Sequence, residues 1–239
     1  MFTTVGSGRA RQTITALALA SRSLRNHGDL FVVDEPIVYI VDDSPDVRNS
    51  LSWLVQSVRL RAHACDSGEQ FLAACHPDQP GCLVLDLRMP GMGGMQLLES
   101  LATRGIQLPV IVFTGHGEVE TAVRAMKAGA LDFVEKPFTQ QGLLEKIQKA
   151  LHEDRRRRQA RDEKTRIARR IAQLTPRESE VLELVASGLT NRAIAKRLGI
   201  SEKTVEVHRA KIMEKMHAGS LAELIRMVNR NQLWTTGIP

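Results

Sequence analysis

The chain has 239 residues, of which 43% are apolar and 25% are charged, a composition typical of a globular protein with one large domain or two small ones. No apolar run approaches the roughly 20 residues of a membrane-spanning helix, so we expect neither a transmembrane helix nor a membrane partner. Three cysteines without a Cys-x-x-Cys pair exclude a disulfide framework and a zinc knuckle. An aromatic content of 4% disfavours a stacking platform for single-stranded nucleic acid.

The net charge of +6 is unevenly distributed along the chain. Residues 37–151 carry 10 basic and 13 acidic side chains, residues 152–170 carry 9 and 4, and residues 171–239 carry 10 and 7. An acidic front module is therefore joined through a basic segment to a basic back module. This asymmetry suggests a regulatory half and a nucleic-acid-binding half.

Residues 1–36 show no sustained hydrophobic periodicity. Arg9 and Arg11, followed by the apolar stretch Ile14–Ala20, only loosely resemble a secretory signal. We therefore expect residues 1–36 to be a disordered N-terminal extension, or to result from a start codon placed too far upstream.

From residue 37 to residue 151, short apolar strands alternate with helical patterns. The first strand, Ile37–Val41, is followed by a helix that Ser44 caps and Pro45 begins. Four more strands, each with a helix after it, are predicted at Arg61–Cys65, Cys82–Asp86, Val110–Thr114 and Leu131–Glu135. Five such units predict an α/β fold with a doubly wound, five-stranded parallel sheet. In such a fold the functional site lies beyond the carboxyl ends of the strands.

Polar residues stand at four of those strand ends. Asp42 and Asp43 follow the first strand, and Asp86 ends the third. Converging carboxylates repel one another unless a cation lies among them, and an all-oxygen ligand set suits Mg²⁺. A carboxylate is also a nucleophile towards phosphorus. Thr114 and Lys136, at the ends of the fourth and fifth strands, supply a hydroxyl and a positive charge for a phosphoryl group.

Residues 37–151 resemble a two-component receiver domain. The resemblance is carried by Val41-Asp42-Asp43-Ser44, Asp86-Leu87-Arg88-Met89-Pro90-Gly91-Met92-Gly93-Gly94, Thr114-Gly115-His116-Gly117 and Lys136-Pro137-Phe138. It implies that Asp86 accepts a phosphoryl group and that Mg²⁺ is the cofactor. The implied metal ligands are Asp42, Asp43, Asp86 and the backbone carbonyl of Arg88. The implied phosphoryl-binding and switch residues are Thr114, Lys136 and Phe133, with a cis peptide bond between Lys136 and Pro137.

Residues 152–170 form a charged linker. The apolar stripe of the preceding helix ends at Leu151 and does not continue into this segment. We therefore expect a solvated helix or a flexible tether without a core-facing side. The run of four arginines from Arg155 to Arg158 favours solvation, with contact to DNA phosphates as the alternative.

Residues 171–235 hold four short helical patterns. Thr175-Pro176-Arg177-Glu178 reads as a capping box with a first-turn proline, and Gly199-Ile200-Ser201 makes a tight turn between the second and third helices. Two helices joined by a short turn containing glycine are typical of a helix-turn-helix. The helix after the turn then enters the major groove of DNA.

The helix after that turn has two distinct faces. Helical spacing places four side chains inward: Val205, His208, Ile212 and Met216. We expect His208 to be a packed or capping residue rather than a metal ligand, because a single histidine is poor evidence for a metal. The outward face consists of Lys203, Glu206, Val207, Ala210, Lys211 and Glu214.

The back module resembles the FixJ/NarL/LuxR-type DNA-binding domain, and most closely its FixJ-type branch. The matching stretches are Leu174-Thr175-Pro176-Arg177-Glu178, Gly188-Leu189-Thr190-Asn191, Ile194-Ala195 and Ile200-Ser201-Glu202-Lys203-Thr204-Val205-Glu206-Val207-His208. The expected DNA-binding residues are Thr190, Asn191, Ser201, Lys203, Thr204, Glu206, Val207, Arg209, Ala210 and Lys211. Some relatives carry lysine where Glu206 stands, and an acidic residue accepts from cytosine rather than binding guanine. The base preference of those relatives therefore cannot be assigned to this chain.

The fourth helical pattern of the back module carries an apolar stripe formed by Leu221, Leu224, Ile225 and Val228. This stripe is a candidate dimer contact, and simple core packing is an equal alternative. A dimer would place two reading helices in successive major grooves.

Together the two resemblances imply a cytoplasmic, phosphorylation-dependent, DNA-binding transcriptional regulator of a two-component system. The implied partners are a cognate sensor histidine kinase, double-stranded promoter DNA, RNA polymerase and, on phosphorylation, a second copy of the chain. A rival assignment, an aspartyl-phosphate phosphatase, would need an acidic residue two positions after the nucleophile, where Arg88 stands. We therefore expect no enzyme activity beyond the receiver's own phosphorylation and dephosphorylation. A second rival, a constitutive DNA binder with a vestigial receiver, conflicts with the intact acidic site.

Overall fold

The structure, a computed structural model, describes residues 35–115 and 119–230, without the side chains of Thr114, Val119 and Arg230. The extension predicted over residues 1–36 therefore lies outside the described residues, apart from Glu35 and Pro36. The same holds for the back module from residue 231 onward. Among the described residues, no helix combines the length and apolarity needed to cross a membrane.

The front module alternates strands with helices, as its sequence predicts. The strands are β1 (Ile37–Val41), β2 (Arg61–Cys65), β3 (Gly81–Asp86), β4 (Val110–Thr114) and β5 (Asp132–Glu135). The helices that follow them are α1 (Pro45–Ser57), α2 (Gly68–Ala74), α3 (Gly94–Thr103), α4 (Val119–Lys127) and α5 (Gln140–Ile171). The back module consists of α6 (Pro176–Ala186), α7 (Asn191–Leu198), α8 (Glu202–Met216) and α9 (Leu221–Arg230).

All neighbouring strands run parallel, in the order β2-β1-β3-β4-β5. The predicted doubly wound sheet is therefore confirmed. The strand order reverses at β1, because β2 lies on one side of β1 and β3 on the other. Such a reversal opens a crevice at the carboxyl edge of the sheet, next to the ends of β1 and β3.

Alternate residues of the central strands pack on opposite faces of the sheet. Val38 and Ile40 belong to a cluster that includes side chains of α1 and α5, whereas Tyr39 and Val41 pack with side chains of α2, α3 and α4. Because helices cover both faces, β1 and β3 are almost entirely buried, while the edge strand β2 exposes three of its five residues. The ends of β1 and β3 thus rest on a closely packed core.

The helix α5 runs for 32 residues across the whole predicted linker. Its first half packs on the sheet through Leu143, Ile147 and Ala150, and Ile167 near its end is buried in the core of the back module. The expectation that residues 152–170 have no core-facing side is therefore wrong, since Asp154 and Ile167 are 3% and 1% exposed. The two buried residues are 13 positions apart, too sparse to form an apolar stripe in the sequence.

The back module begins with the predicted capping box. The Glu178 N–H donates to Thr175 Oγ1, and the Thr175 N–H donates to the Glu178 carboxylate. Gly199 ends α7 with a φ of +66°, a left-handed conformation that glycine adopts without steric cost. The Ser201 hydroxyl then accepts from the Thr204 N–H and caps α8. The helices α7 and α8 therefore form the predicted helix-turn-helix.

Candidate functional site

Three carboxylates converge at the carboxyl edge of the sheet. Asp42 and Asp43 directly follow β1, and Asp86 ends β3, the strand that pairs with β1. One carboxylate oxygen from each lies within 4.8 Å of the others. An all-oxygen set of this size fits Mg²⁺, which takes few carboxylate ligands and keeps several waters. The sequence prediction brought these three residues together correctly, because strand ends of a parallel sheet meet at one edge.

The Lys136 ammonium group links two of these carboxylates. Lys136 follows β5, and its Nζ donates to Asp86 Oδ2 at 2.7 Å and to Asp42 Oδ2 at 3.3 Å. The Nζ atom also lies 5.2 Å from the centroid of the Phe113 ring. Phe138 stacks on that ring, with 5.1 Å between centroids, and so anchors the segment that bears Lys136. The sequence prediction did not include this aromatic support.

Burial makes the charges of this cluster costly. The Asp42 side chain is 1% exposed, and burial raises its pKa above the ordinary value, with the Asp86 charge adding to the rise. Burial opposes the charge on Lys136, but the hydrogen bond and charge of Asp86, together with Asp42, outweigh it, so the pKa of Lys136 is raised. The cluster therefore holds a charged lysine, and a second cation would offset the remaining negative charge.

Backbone contacts fix the loop after β1. The Ser44 N–H donates to Asp42 Oδ1 at 2.9 Å, and the Arg48 guanidinium donates to the Asp42 carbonyl oxygen at 2.7 Å. Both donors come from the start of α1, so that helix orients the buried carboxylate. Arg48 lies outside the motifs of the sequence analysis. Its position in the first turn of the helix after two aspartates is the one feature of the sequence that could have pointed to this role.

The loop after β3 is equally constrained. The Arg88 N–H donates to Asp86 Oδ1 at 3.0 Å, so both oxygens of Asp86 are engaged, the other by Lys136. Gly94 packs directly beneath this loop: a Cβ there would lie 2.1 Å from the Asp86 carbonyl oxygen. The glycine-rich turn was noted in the sequence, but the need for glycine at position 94 follows only from this close approach.

The two remaining switch candidates lie on neighbouring strands. Thr114 ends β4 opposite Glu135 of β5, and its side chain is outside the described part of the structure. Phe133 on β5 is 42% exposed, with the Lys146 ammonium group 6.0 Å from the centroid of its ring. The peptide bond between Lys136 and Pro137 is cis, as expected.

The outward face of α8 is exposed as its spacing predicts. The exposed residues of the candidate DNA-binding set are Thr190, Ser201, Lys203, Glu206, Val207, Ala210 and Lys211. Val207 is 49% exposed, a high value for an apolar side chain. The inward face is also as predicted, since Val205, Ile212 and Met216 are buried. His208 is half-buried, and its Nδ1 atom is buried without a hydrogen-bond partner among the described residues.

Four of the candidate DNA-binding residues contact one another within the domain. The Arg209 guanidinium donates to the Asn191 side-chain oxygen at 2.6 Å and so ties α8 to the start of α7. The Thr204 hydroxyl lies 2.8 Å from the Ser201 hydroxyl at the start of α8. These residues hold the angle of the helix-turn-helix, a role that helical spacing did not reveal.

The candidate dimer stripe on α9 divides into core and surface. Leu224 and Val228 are 3% and 2% exposed and belong to the core of the back module. Their prediction as dimer contacts is therefore wrong, since their surfaces are already covered by the chain itself. Leu221 is 41% exposed and Ile225 is half-buried, so only these two stay candidates.

Comparisons with known proteins agree with this architecture. Residues 38–148 match the family described as the response regulator receiver domain, and residues 172–228 match bacterial regulatory proteins of the luxR family. The chain is 45% identical over 190 residues to the transcriptional regulatory protein FixJ of Azorhizobium caulinodans, covering 80% of this chain and 90% of that protein. It is 44% identical over 191 residues to nodulation protein W of Bradyrhizobium diazoefficiens, covering 80% and 84%.

Two solved structures of response regulators resemble the chain over most of both lengths. The low-resolution structure of the response regulator StyR matches with a TM-score of 0.74 and 43% identity, covering 82% of this chain and 99% of that chain. Full-length FixJ from B. japonicum matches with a TM-score of 0.53 and 39% identity, covering 82% and 97%. The chain therefore belongs to the response regulators that join a receiver domain to a LuxR-type DNA-binding domain.

Proposed function

We propose that a histidine kinase phosphorylates Asp86 and that this modification promotes dimerisation and promoter binding by the DNA-binding domain. One observation supports the phosphoacceptor assignment above the others. The Lys136 ammonium group lies between the carboxylates of Asp86 and Asp42, with Asp43 in the same cluster. A charged lysine beside a carboxylate nucleophile supplies the neutralisation that phosphoryl transfer needs.

Mg²⁺ is the proposed cofactor, and Asp42, Asp43 and Asp86 are its proposed ligands, with the Arg88 carbonyl as a fourth. Support comes from the three clustered carboxylate oxygens and from the raised pKa of the buried Asp42. When bound, Mg²⁺ offsets the negative charge of the carboxylates and of the incoming phosphoryl group. The Ser44 N–H and the Lys136 ammonium group hold the Asp42 carboxylate in place.

The proposed reaction is a single displacement at phosphorus. An Asp86 oxygen attacks the phosphorus of the kinase phosphohistidine, the P–N bond breaks, and its electron pair returns to the imidazole, which takes up a proton. Lys136 then holds a phosphoryl oxygen in place of the Asp86 carboxylate. Thr114 is the proposed donor to a second phosphoryl oxygen, and Phe133 repacks as Thr114 moves inward.

The proposed output is DNA binding by a dimer. The face formed by α4, β5 and α5 carries the exposed side chains of Phe133, Val123 and Met126, and its self-association is the proposed response to phosphorylation. Two copies of α8 would then read successive major grooves of promoter DNA, and RNA polymerase is the proposed downstream partner. Because its DNA target lies there, we place the protein in the cytoplasm.

No separate enzyme activity is proposed. Position 88, two residues after the proposed nucleophile, holds an arginine whose N–H donates to Asp86. An arginine side chain there cannot act as the general acid and base of an aspartyl-phosphate phosphatase, because it stays protonated. The constitutive alternative is disfavoured by the engagement of Asp42, Asp86 and Lys136 with one another.

The test uses the full chain, Mg²⁺ and a small acyl phosphate donor. The parent should incorporate label that acid, base and hydroxylamine remove, and it should bind a duplex selected from a random pool about tenfold more tightly when phosphorylated, within the usual range of allosteric coupling. Asp86→Asn should lose both responses. The matched control is Asp46→Asn, an exposed aspartate in the first turn of α1, which should retain both.

Label on another carboxylate of Asp86→Asn would contradict the assignment of the phosphoacceptor. Equal DNA affinity of the phosphorylated and unphosphorylated parent would contradict the coupling and favour constitutive binding. Continuous release of phosphate at many turnovers per second from added phosphate esters would instead favour a phosphatase.

A further inference from the structure

The second half of α5 is hydrogen-bonded to residues 78–81, the segment that leads into β3. Arg158 donates to two carbonyl oxygens of that segment, those of Asp78 at 2.9 Å and Gln79 at 2.7 Å, and it pairs within α5 with Asp154 at 2.8 Å. The Asp154 carboxylate in turn accepts from the Gly81 N–H at 3.0 Å. These bonds join residues more than 70 positions apart in the chain.

The environment of this pair is that of a core rather than of a solvated linker. The side chains of Arg158 and Asp154 are 16% and 5% exposed. Gly81 is the first residue of β3, and a Cβ there would lie 2.0 Å from the Ile37 carbonyl oxygen, so the backbones of β1 and β3 pack closely at this point. A buried, fully hydrogen-bonded ion pair fixes geometry, because removing either partner leaves the other uncompensated.

Two of the three other arginines of the run are also engaged within the chain. Arg156 and Arg157 both donate to Glu153, one turn earlier in α5, and Arg161 lies 3.4 Å from an Asp78 carboxylate oxygen. Arg155 is exposed, and the described residues offer it no such partner. The pattern favours attachment to the receiver over contact with DNA phosphates.

The end of α5 is held instead by the DNA-binding domain. Ile167 is 1% exposed in the core of that domain, and the Arg170 guanidinium donates to the Met216 carbonyl oxygen of α8 at 3.0 Å. Between the two attachments lie residues 162–166. Their side-chain bonds stay within the helix, from Thr165 to the Arg161 carbonyl and between Arg166 and Glu163.

We propose that the Asp154–Arg158 pair makes residues 152–161 part of the receiver's rigid unit and confines interdomain bending to residues 162–166. Those five residues span about 7.5 Å of helix. Four of these five residues are exposed and their side-chain bonds stay within the helix, so this segment of α5 has little tertiary support. Any change in the relative position of the two domains then arises in this short segment rather than along a 19-residue tether.

Hydrogen exchange on the full, unphosphorylated chain tests the clamp. Amides of residues 152–161 should exchange as slowly as those of 143–151, whereas amides of 162–166 should exchange about tenfold faster. Arg158→Ala should speed exchange in residues 152–161 and 78–81 by about tenfold. The matched control, Arg155→Ala, removes an equal charge from an adjacent turn and should change neither segment.

Asp154→Asn provides a second variant, because it keeps an oxygen for the Gly81 N–H while weakening the bond to Arg158. It should give an intermediate increase in exchange. Uniform exchange along residues 152–166 of the parent, or equal effects of Arg158→Ala and Arg155→Ala, would overturn the proposal.

A pair of glycine variants tests the hinge independently. Lys164 and Arg155 are both exposed positions of α5, and glycine weakens a helix similarly at either one. Nuclear magnetic relaxation of the full chain should show different rotational correlation times for the two domains in Lys164→Gly, but not in Arg155→Gly. If both variants uncouple the domains equally, or if Arg155→Gly uncouples them more, bending is not confined to residues 162–166.

Discussion

The receiver site and the reading helix of this response regulator place their charged residues in opposite environments. At the sheet edge, Asp42 is 1% exposed and Lys136 donates to it and to Asp86. On α8, Lys203 and Lys211 are exposed, and no ion pair is found for either among the described residues. The first arrangement holds charges against one another, which suits the proposed reaction at one oxygen atom of Asp86. The second leaves charges available to a partner that brings its own negative charge.

This difference determines how each region tolerates substitution. The backbone next to Asp86 leaves no room for a Cβ at position 94. A small change of geometry there should therefore affect the chemistry of Asp86 directly. Among the described residues, the charged side chains on the outward face of α8 have no hydrogen bond or ion pair, so substitutions there should affect DNA binding and leave folding unchanged. Two charged residues of α8 are intermediate between these cases. Arg209 donates to Asn191 of α7 and Lys215 donates to Glu178 of α6, and both are half-buried.

Gly94→Ala should give the largest effect. Its Cβ would lie 2.1 Å from the Asp86 carbonyl oxygen and 2.7 Å from Leu87 Cα, so the loop that carries the proposed phosphoacceptor must move. A displacement of about 1 Å at a reacting group costs about 100-fold in rate, and we expect that loss in the rate of label incorporation from an acyl phosphate. Gly91→Ala is the control, because a Cβ there meets nothing within 4 Å.

The Gly91 control carries its own cost, since Gly91 has a φ of +73° and a side chain in that conformation costs about 1–2 kcal/mol. That cost should appear as lower thermal stability with a phosphorylation rate close to that of the parent. Equal rates in Gly94→Ala and the parent would show that the loop is not held rigidly.

Glu178→Gln should give a moderate effect that depends on pH. The Lys215 ammonium donates to the buried Glu178 carboxylate at 2.6 Å, and the hydrogen bonds from Lys215 and from the Thr175 N–H lower the pKa of Glu178 to about 2. A depressed carboxyl pKa stabilises the folded state at pH values above the group's ordinary pKa of about 4.5, and this stabilisation is lost as the pH falls towards 2. At pH 7 the variant should lose about 2 kcal/mol, the usual cost of an unsatisfied buried partner.

Urea unfolding at several pH values measures this effect. The difference in unfolding free energy between parent and Glu178→Gln should shrink below pH 4.5. The control Glu180→Gln, on the same helix with a side chain that is 51% exposed, should show little difference at any pH. A gap between parent and Glu178→Gln that stays constant from pH 7 to pH 3 would contradict the ion-pair explanation.

The smallest effects are expected on the outward face of α8. If Lys211 contacts a phosphate, Lys211→Ala should reduce the slope of log affinity against log salt by about 0.9. Val207 offers only an apolar contact such as one with a thymine methyl, so Val207→Ala should cost about 1–3 kcal/mol at one base pair and leave the slope unchanged. Equilibrium binding to specific and mismatched duplexes at several salt concentrations measures both quantities.

The control variant is Lys164→Ala, which removes an equal charge from the linker helix. It should leave both the salt dependence of the DNA affinity and the discrimination between base pairs unaltered. If Lys211→Ala and Val207→Ala both behave like that control, α8 is not the reading helix and the placement of this domain on DNA is wrong.

Much of the receiver was predictable because its signals are local. Asp42 directly follows the strand Ile37–Val41, and Asp86 ends the strand Gly81–Asp86, so parallel pairing alone brings the carboxylates together. The supports of those residues were not predictable in the same way. Arg48 reaches a backbone carbonyl, and Gly94 is required by an approach of two backbone segments; neither contact leaves a periodic pattern.

The back module shows the same division. Helical spacing correctly separated Val205, Ile212 and Met216 from the outward residues of α8. It could not decide between core and interface for the stripe on α9, because an apolar stripe is identical in both cases. Only the packing showed that Leu224 and Val228 face the chain's own core.

By itself, the sequence determined the two modules, the order of their elements, the acidic cluster with its lysine and the outward face of the reading helix. These features depend on residue type and on spacing along one strand or helix, which the chain carries directly. Only the tertiary structure decided that the charged linker is a continuous helix, with Asp154 and Arg158 docked against the start of β3. That contact joins residues 73 and 79 positions apart in the chain through an N–H group and a backbone carbonyl. Because every residue has a backbone carbonyl and nearly every residue has an N–H group, no pattern of side chains predicts the contact.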